Sequence, residues 1–206
     1  MERAGPEGFS LRKAAQVLGC DPAALIYHFG SREGLERAVA DRLHARITRL
    51  DAKLSWRERL TVLSRQYRTL AQTFPRTFPL LMRYWTTGPR DLVVADDCYI
   101  ALADAGVPAA QIPAVECGLY AALLGLCAGE AGGLIGRPAP GTIAEIKAEE
   151  GLAATRALLN SIRSLDADQV FEDTIGVLLE GVAAKGRRRP ARAKPKRKTV
   201  TARGGR

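Results

Sequence analysis

Apolar residues recur at spacings of three and four through most of this chain, and nowhere is an alternation of period two sustained. The first pattern puts side chains on one face of a helix, and the second is what a half-buried strand requires. The expected fold class is therefore all-α. From Ser31, Leu35, Val39, Leu43, Ile47, Leu50 and Leu54 form one stripe; from Ser55, Trp56, Leu60, Leu63, Tyr67, Leu70 and Phe74 form another. Each reads as a long amphipathic helix. Ser55-Trp56-Arg57-Glu58 and Thr142-Ile143-Ala144-Glu145 have the capping-box form, in which hydroxyl and carboxylate satisfy the free amides of a first turn, so each is expected to open a helix. Pro75, Pro79 and Gly88-Pro89 bound a short helix near residues 80–85. A further helix, from about Arg90, stops at Gly106-Val107-Pro108.

From about Ala109 to Ile135, Gly118, Ala122, Gly125, Gly129 and Gly132 share one helical face at heptad spacing. Glycine weakens a helix interior by up to about 1 kcal/mol per residue, so several on one stripe imply that another backbone packs closely there. A Gly/Pro loop at 136–141 leads to a helix interrupted near Gly151, and a last helix follows Asp166. Val170, Phe171, Ile175, Leu178 and Val182 give it a strong apolar face. From Lys185, Lys, Arg, Pro, Ala and Gly dominate, a composition that cannot bury enough surface to order itself.

Charge separates body from tail. Of 31 Lys and Arg, 11 follow residue 184, leaving 20 against 22 acids and a net of −2 for the body. The cationic tail suits non-specific phosphate binding. The most apolar stretch, Cys117 to Cys127, is closed off by Glu116 and Glu130, and the N-terminus has no apolar signal core. No membrane partner is expected, and the protein is placed in the cytoplasm. Cys20, Cys98, Cys117 and Cys127 show no C-x-x-C spacing, so neither a zinc site nor a redox pair follows. With two histidines, no nucleophile beside a base and no phosphate-cradling glycine loop, catalysis is not expected, and no cofactor or metal is.

Ser10 to Phe29 reads as two short helices around a tight turn. Ser10 caps the first, Gly19 supplies a positive-φ stop, and Asp21-Pro22 is an N-cap followed by proline at the first helical position. Leu11, Ala15 and Leu18 are expected to face Leu25 and Phe29 in a small core. Phe9 to Leu43, in the form F-S-L-R-x-x-A-x-x-L-G-x-x-P-A-A-L-x-Y-H-F-x-S-R-E-x-L-x-x-A-V, resembles the DNA-binding domain of the TetR/AcrR family of transcriptional regulators.

The resemblance implies a helix-turn-helix DNA-binding domain over 1–45, a helical effector-binding and dimerisation domain over 46–184 and a disordered basic tail over 185–206. Ala23 and Ala24 would lie near base edges and thymine methyls, Tyr27 and His28 would donate to phosphate or base, and Ser31 and Arg32 would sit beside a backbone phosphate. Ser10, Arg12, Lys13, Asp21 and Pro22 complete the expected DNA-binding set. By the same resemblance, Tyr67, Phe74, Phe78, Met82, Tyr84, Trp85 and Tyr120 would line a pocket for a small apolar effector. Gly118, Ala122, Gly125 and Gly129, with Phe171, Ile175 and Leu178, would build a four-helix homodimer interface suited to a palindromic operator. A nucleoid-associated repressor released by its ligand is the implied function. Two departures bear on it. The family's helix before the motif has no counterpart here, so the true start is expected upstream, and Ile26 stands where an aromatic hydrogen-bonding residue is common. The alternative is a regulator-like dimer that binds DNA only through its basic tail, or binds a ligand without DNA activity.

Overall fold

A computed structural model describes residues 1–2, 5 and 8–187 of the chain; the part of the expected tail beyond Arg187 lies outside the described residues. Among those described, every regular element is helical: α1 (Leu11–Leu18), α2 (Pro22–Phe29), α3 (Arg32–His44), α4 (Trp56–Thr73), α5 (Pro89–Asp104), α6 (Ile112–Ala131), α7 (Pro140–Ala148), α8 (Ala153–Ala157), α9 (Leu159–Arg163) and α10 (Ala167–Arg187), with 3-10 turns at Phe78–Met82 and Ala109–Gln111.

Local chemistry sets most starts and stops. The Ser55 hydroxyl accepts from the Glu58 N–H while the Glu58 carboxylate accepts from the Ser55 N–H (3.3 and 2.8 Å), the reciprocal box that opens α4. The second expected box does not form. α7 starts three residues earlier than that box requires, at Pro140, whose fixed φ suits a first helical position, and this places Thr142 inside the first turn. The short helix expected near residues 80–85 is instead the 3-10 turn Phe78–Met82. Glu2 supports it by accepting from the Arg76 and Thr77 N–H groups (3.1 and 2.9 Å).

The long helix expected from Ser31 to Leu54 ends at His44. Beyond it, side chains from other helices take the backbone amides: the Thr48 N–H donates to Gln66 Oε1 (2.6 Å) and the Leu50 N–H to Asp97 Oδ2 (3.1 Å). Ile47 and Leu50 still pack against the core from this irregular segment, which is why their spacing mimics a helix.

The main core lies where α4 packs against α5, α6 and α10. It is built from Leu63, Tyr67, Leu102, Leu124, Phe171 and Leu179 among others. Arg68 of α4 crosses to Glu130 of α6 (2.7 and 2.6 Å) and Asp168 of α10. A second, small core holds Ala15, Leu25 and Leu35. α3 serves both: Leu35 closes the small one, Ala40 and Leu43 enter the large one, and Val39 touches each. Ala109–Ala131, with Glu116 and Glu130 inside it, is long and apolar enough to cross a membrane by length and composition alone. In this fold its Leu123, Leu124 and Cys127 belong to the core, and the side it leaves open carries small residues.

Candidate functional site

The α1–α2 unit is assembled by its caps. Ser10 Oγ accepts from the Lys13 N–H (3.2 Å), Asp21 Oδ1 from the Ala23 N–H (2.7 Å) and Ser31 Oγ from the Gly34 N–H (3.0 Å). Gly19 takes φ 67°, a left-handed geometry that glycine adopts without strain, and lets the Cys20 N–H return to the Ala15 carbonyl (3.0 Å). The small core differs from expectation: Leu18 and Phe29 are 65% and 36% exposed. Leu35 of α3, with Phe9 and Leu11 beside it, covers Ala15 and Leu25 instead.

On the outer surface, α2 presents Pro22, Ala23, Tyr27 and His28, with Ala24 half-buried and Tyr27 88% exposed. The Tyr27 and His28 rings meet edge to face at 5.6 Å. Arg12, Lys13 and Ser31 are exposed as well. This is a shallow, donor-bearing surface around two helix N-termini, chemistry that suits a phosphate backbone and a major groove. Arg32 is committed inward as well: its Nε donates to Glu36 Oε1 (2.8 Å), and its guanidinium lies 5.9 Å from the Phe9 ring centre.

α3 bolts this unit to the rest of the protein. Glu36 is buried and accepts from Arg32, Arg83 Nη1 (3.1 Å) and the Tyr84 hydroxyl (2.9 Å). Burial raises its pKa, but the bonds from Arg32 and Tyr84 with the charges of Arg32 and Arg83 outweigh it and hold the carboxyl below the usual range. Asp41 Oδ1 accepts from the Arg90 and Asp91 N–H groups (2.8 and 3.3 Å), so a carboxylate of α3 caps the first turn of α5. The approach is close enough to require Gly88, since a Cβ there would stand 2.7 Å from Asp41 Cγ. One turn on, His44 is fully buried with Nδ1 2.9 Å from Thr87 Oγ1 and Nε2 3.2 Å from the Tyr120 hydroxyl and 3.3 Å from Asp91 Oδ1. Burial lowers its pKa against the opposing pull of Asp91 and Asp41, so the ring is neutral at pH 7. A carboxylate only accepts, which places the proton on Nε2 and leaves Nδ1 to accept from Thr87.

Asp91 and Tyr120 also line a cavity of about 50 Å³ enclosed by α4, α5, α6 and α10. Apolar residues such as Leu60, Leu63, Val94 and Leu123 make most of its wall, and Ser64, Tyr67, Cys98 and Glu116 add polar atoms. Of the seven residues expected to line a pocket, Tyr67 and Tyr120 do, their rings 5.7 Å apart and edge to face. The other five stand elsewhere. Phe78 is fully buried core, Phe74 lies under Arg46 (4.7 Å), Tyr84 is tied to Glu36, and Met82 and Trp85 are exposed. Aromatic content marks apolar surface but not which side of α4 it covers. Asp91 and His44 are the polar residues that the sequence pattern misses or leaves unassigned. They meet from different helices, and no local motif signals the pair. Among the described residues, no group of His, Cys, Asp and Glu is arranged to hold a metal ion.

The expected dimer residues divide as well. Gly118, Ala122 and Gly125 are exposed, and added Cβ atoms at Gly118 and Gly125 would meet nothing within 4 Å. Gly129 is covered by Leu134 and Ile135 of its own chain, and Phe171 and Ile175 are core. A groove between α6 and α10, lined by Ala114, Gly118, Leu178 and Gly181 among others, continues this open face.

Residues 50–185 match the family model described as tetracyclin repressor-like, C-terminal domain. The fold is similar to that of a putative transcriptional regulator from Streptomyces coelicolor A3(2), at 26% identity and a TM-score of 0.72, over 89% of this chain and 94% of that one. It is also similar to the Streptomyces coelicolor TetR family protein ActR in complex with actinorhodin (19% identity, TM-score 0.78, 91% and 92% of the chains). Mycobacterium smegmatis BioQ shares 23% identity over 86% and 87% of the chains, with a TM-score of 0.64. No curated protein matches the sequence. The helix-turn-helix surface, the helical body behind it and these likenesses agree: the chain belongs to the TetR family of transcriptional regulators, helix-turn-helix DNA-binding proteins rather than enzymes.

Proposed function

We propose that this chain is a homodimeric repressor that holds a palindromic operator and releases it when a small effector with a largely apolar body enters the cavity. The supporting observation is the joint between α3 and α5, where Asp91 is at once a wall of the cavity and a partner of His44, the last residue of α3. Effector pockets commonly span about 300–1,000 Å³. A cavity of about 50 Å³ must therefore widen on binding. Widening displaces α5 from α4 and α6, and the Asp41 cap and the His44 contacts carry that displacement into α3 and so to Ser31, Tyr27 and His28. The exposed small-residue face of α6 and the adjoining α10 groove would receive a second copy, setting two reading units about one helical turn of DNA apart.

The test is binding of the purified chain to a duplex from its own upstream region, with scrambled competitor, across a salt series, with and without residues 188–206. Competitor-resistant binding that survives removal of those residues supports the operator reading. The rival is DNA binding through the tail alone, favoured by the cluster of cations after residue 184. Binding that disappears with the tail and falls steeply with salt would establish it instead.

A further inference from the structure

Glu116 and Glu130 both project from α6, and the structure gives them opposite surroundings. Glu130 forms a two-pronged ion pair with Arg68 and accepts from Gln72 Nε2 (3.0 Å). Glu116 lines the cavity. Among the described residues it accepts no hydrogen bond and pairs with no cation. Asp91 lines the same cavity, near enough to act on Glu116, and is held by the Thr87 N–H (3.0 Å) and His44.

Among the described residues, the lining contains no Lys or Arg. Its ionisable groups are Asp91, Glu116, Tyr67, Tyr120 and Cys98, and each can carry only negative charge. Burial raises the pKa of Glu116, further raised by Asp91, and burial pushes the Cys98 thiol up to about 12. This is what carboxyl and thiol groups do in an apolar enclosure without a counter-cation. A wall that is apolar around most of its circumference, with two carboxyl groups and no base, discriminates by charge. It rejects an anion and rewards a ligand that brings the missing positive charge.

Resting on the reading of this cavity as the effector site, we infer that the effector is an amphipathic amine, with an apolar body against Leu63, Val94 and Leu123 and a cationic nitrogen between Asp91 and Glu116. The nitrogen would donate to Glu116 and compete with His44 Nε2 for Asp91 Oδ1, so the group that identifies the ligand also loosens the end of α3.

The experiment uses the full chain and matched probes on two apolar skeletons, phenylbutyl and adamantylmethyl, each ending in a primary amine, a hydroxyl or a carboxylate. Affinity is read by calorimetry and by the shift in melting temperature at pH 7.5. The amine is expected to bind at least about tenfold more tightly than the alcohol, and the carboxylate more weakly than either. Glu116→Gln should remove about tenfold from the amine and leave the alcohol unchanged. Glu116→Asp should restore part of the preference, and exposed Glu145→Gln should change nothing. Equal or tighter binding of alcohol or carboxylate, an unchanged amine affinity in Glu116→Gln, or no binding by any probe would overturn the inference. Operator binding measured on the same samples separates the two readings. Release by neutral or acidic probes, independent of Glu116, would sink this inference and keep the effector-released repressor. Glu116-dependent amine binding with no operator complex would do the reverse.

Discussion

Arg68→Ala isolates the ion pair at the meeting point of α4, α6 and α10. Its Nε and Nη2 donate to the two oxygens of Glu130, and its guanidinium lies 4.6 Å from the Phe171 ring centre. The two side chains are only 14% and 11% exposed, so removing one partner strands the other in a poorly solvated place. Breaking a fully buried pair costs about 3–5 kcal/mol. Gln72 still donates to Glu130 in the variant, and some solvent reaches it, which puts the expected loss at the low end, about 3 kcal/mol. The contact with Asp168 adds nothing measurable, because that carboxylate is 82% exposed. For a chain of this length about 3 kcal/mol lowers Tm by about 6–12 °C. The double variant Arg68→Met, Glu130→Leu removes both charges and fills the space, and it should lie within about 1 kcal/mol of the parent. Urea unfolding followed by circular dichroism measures all three. A single variant within 1 kcal/mol of the parent, or a double variant as unstable as the single, would refute the assignment of this pair as a desolvated unit.

Four further outcomes are expected. Because burial lowers the His44 pKa below 6.5, its neutral form contributes fully above that value and stability is lost as pH falls through 6.5 toward the folded-state pKa; urea unfolding at pH 7.5, 6.5 and 5.5 should show the decline, and His44→Gln, which keeps polar atoms facing Asp91, Asp41 and the two tyrosines, should flatten it. Cys98 and Cys127, both pushed up to about 12 by burial, should resist a thiol reagent at pH 8 until denaturant is added, so labelling of more than two thiols in native protein would contradict their burial. A Cβ added at Gly118 or Gly125 meets nothing inside one chain, so in Gly118→Leu with Gly125→Leu helix content should persist while sedimentation shows monomers; a dimer that survives would place the interface elsewhere. Tyr27→Phe should weaken operator binding by about tenfold, and Lys13→Ala should reduce the slope of log affinity against log salt by about 1, both read by fluorescence anisotropy; wild-type values in either would remove that residue from the interface.

What was legible in the sequence is what local chemistry dictates. Ser10, Gly19, Asp21 and Ser31 cap or stop their helices as their residue types demand, and the Ser55–Glu58 box needs only one turn to close. The joint was hidden because its partners are remote in the chain. Thr87 and Tyr120 lie 43 and 76 residues from His44, and nothing near His44 announces a carboxylate on another helix. The end of α3 was hidden for a different reason: Leu50 keeps its place against the core although its backbone has left the helix for Asp97. Glu116 and Glu130 look alike in sequence, and only the fold brings Arg68 to one of them.

That α3 enters both cores makes it a lever with its fulcrum at His44. Its 13 residues span about 20 Å at 1.5 Å per residue. Pivoting by about 10° at His44 would sweep the Ser31 end through about 3 Å, several times the tolerance of a hydrogen bond to phosphate. On the proposed reading, a small rotation set beside the cavity would therefore reach the DNA-facing surface as a shift larger than its hydrogen bonds tolerate, and in a dimer it would act on both half-sites.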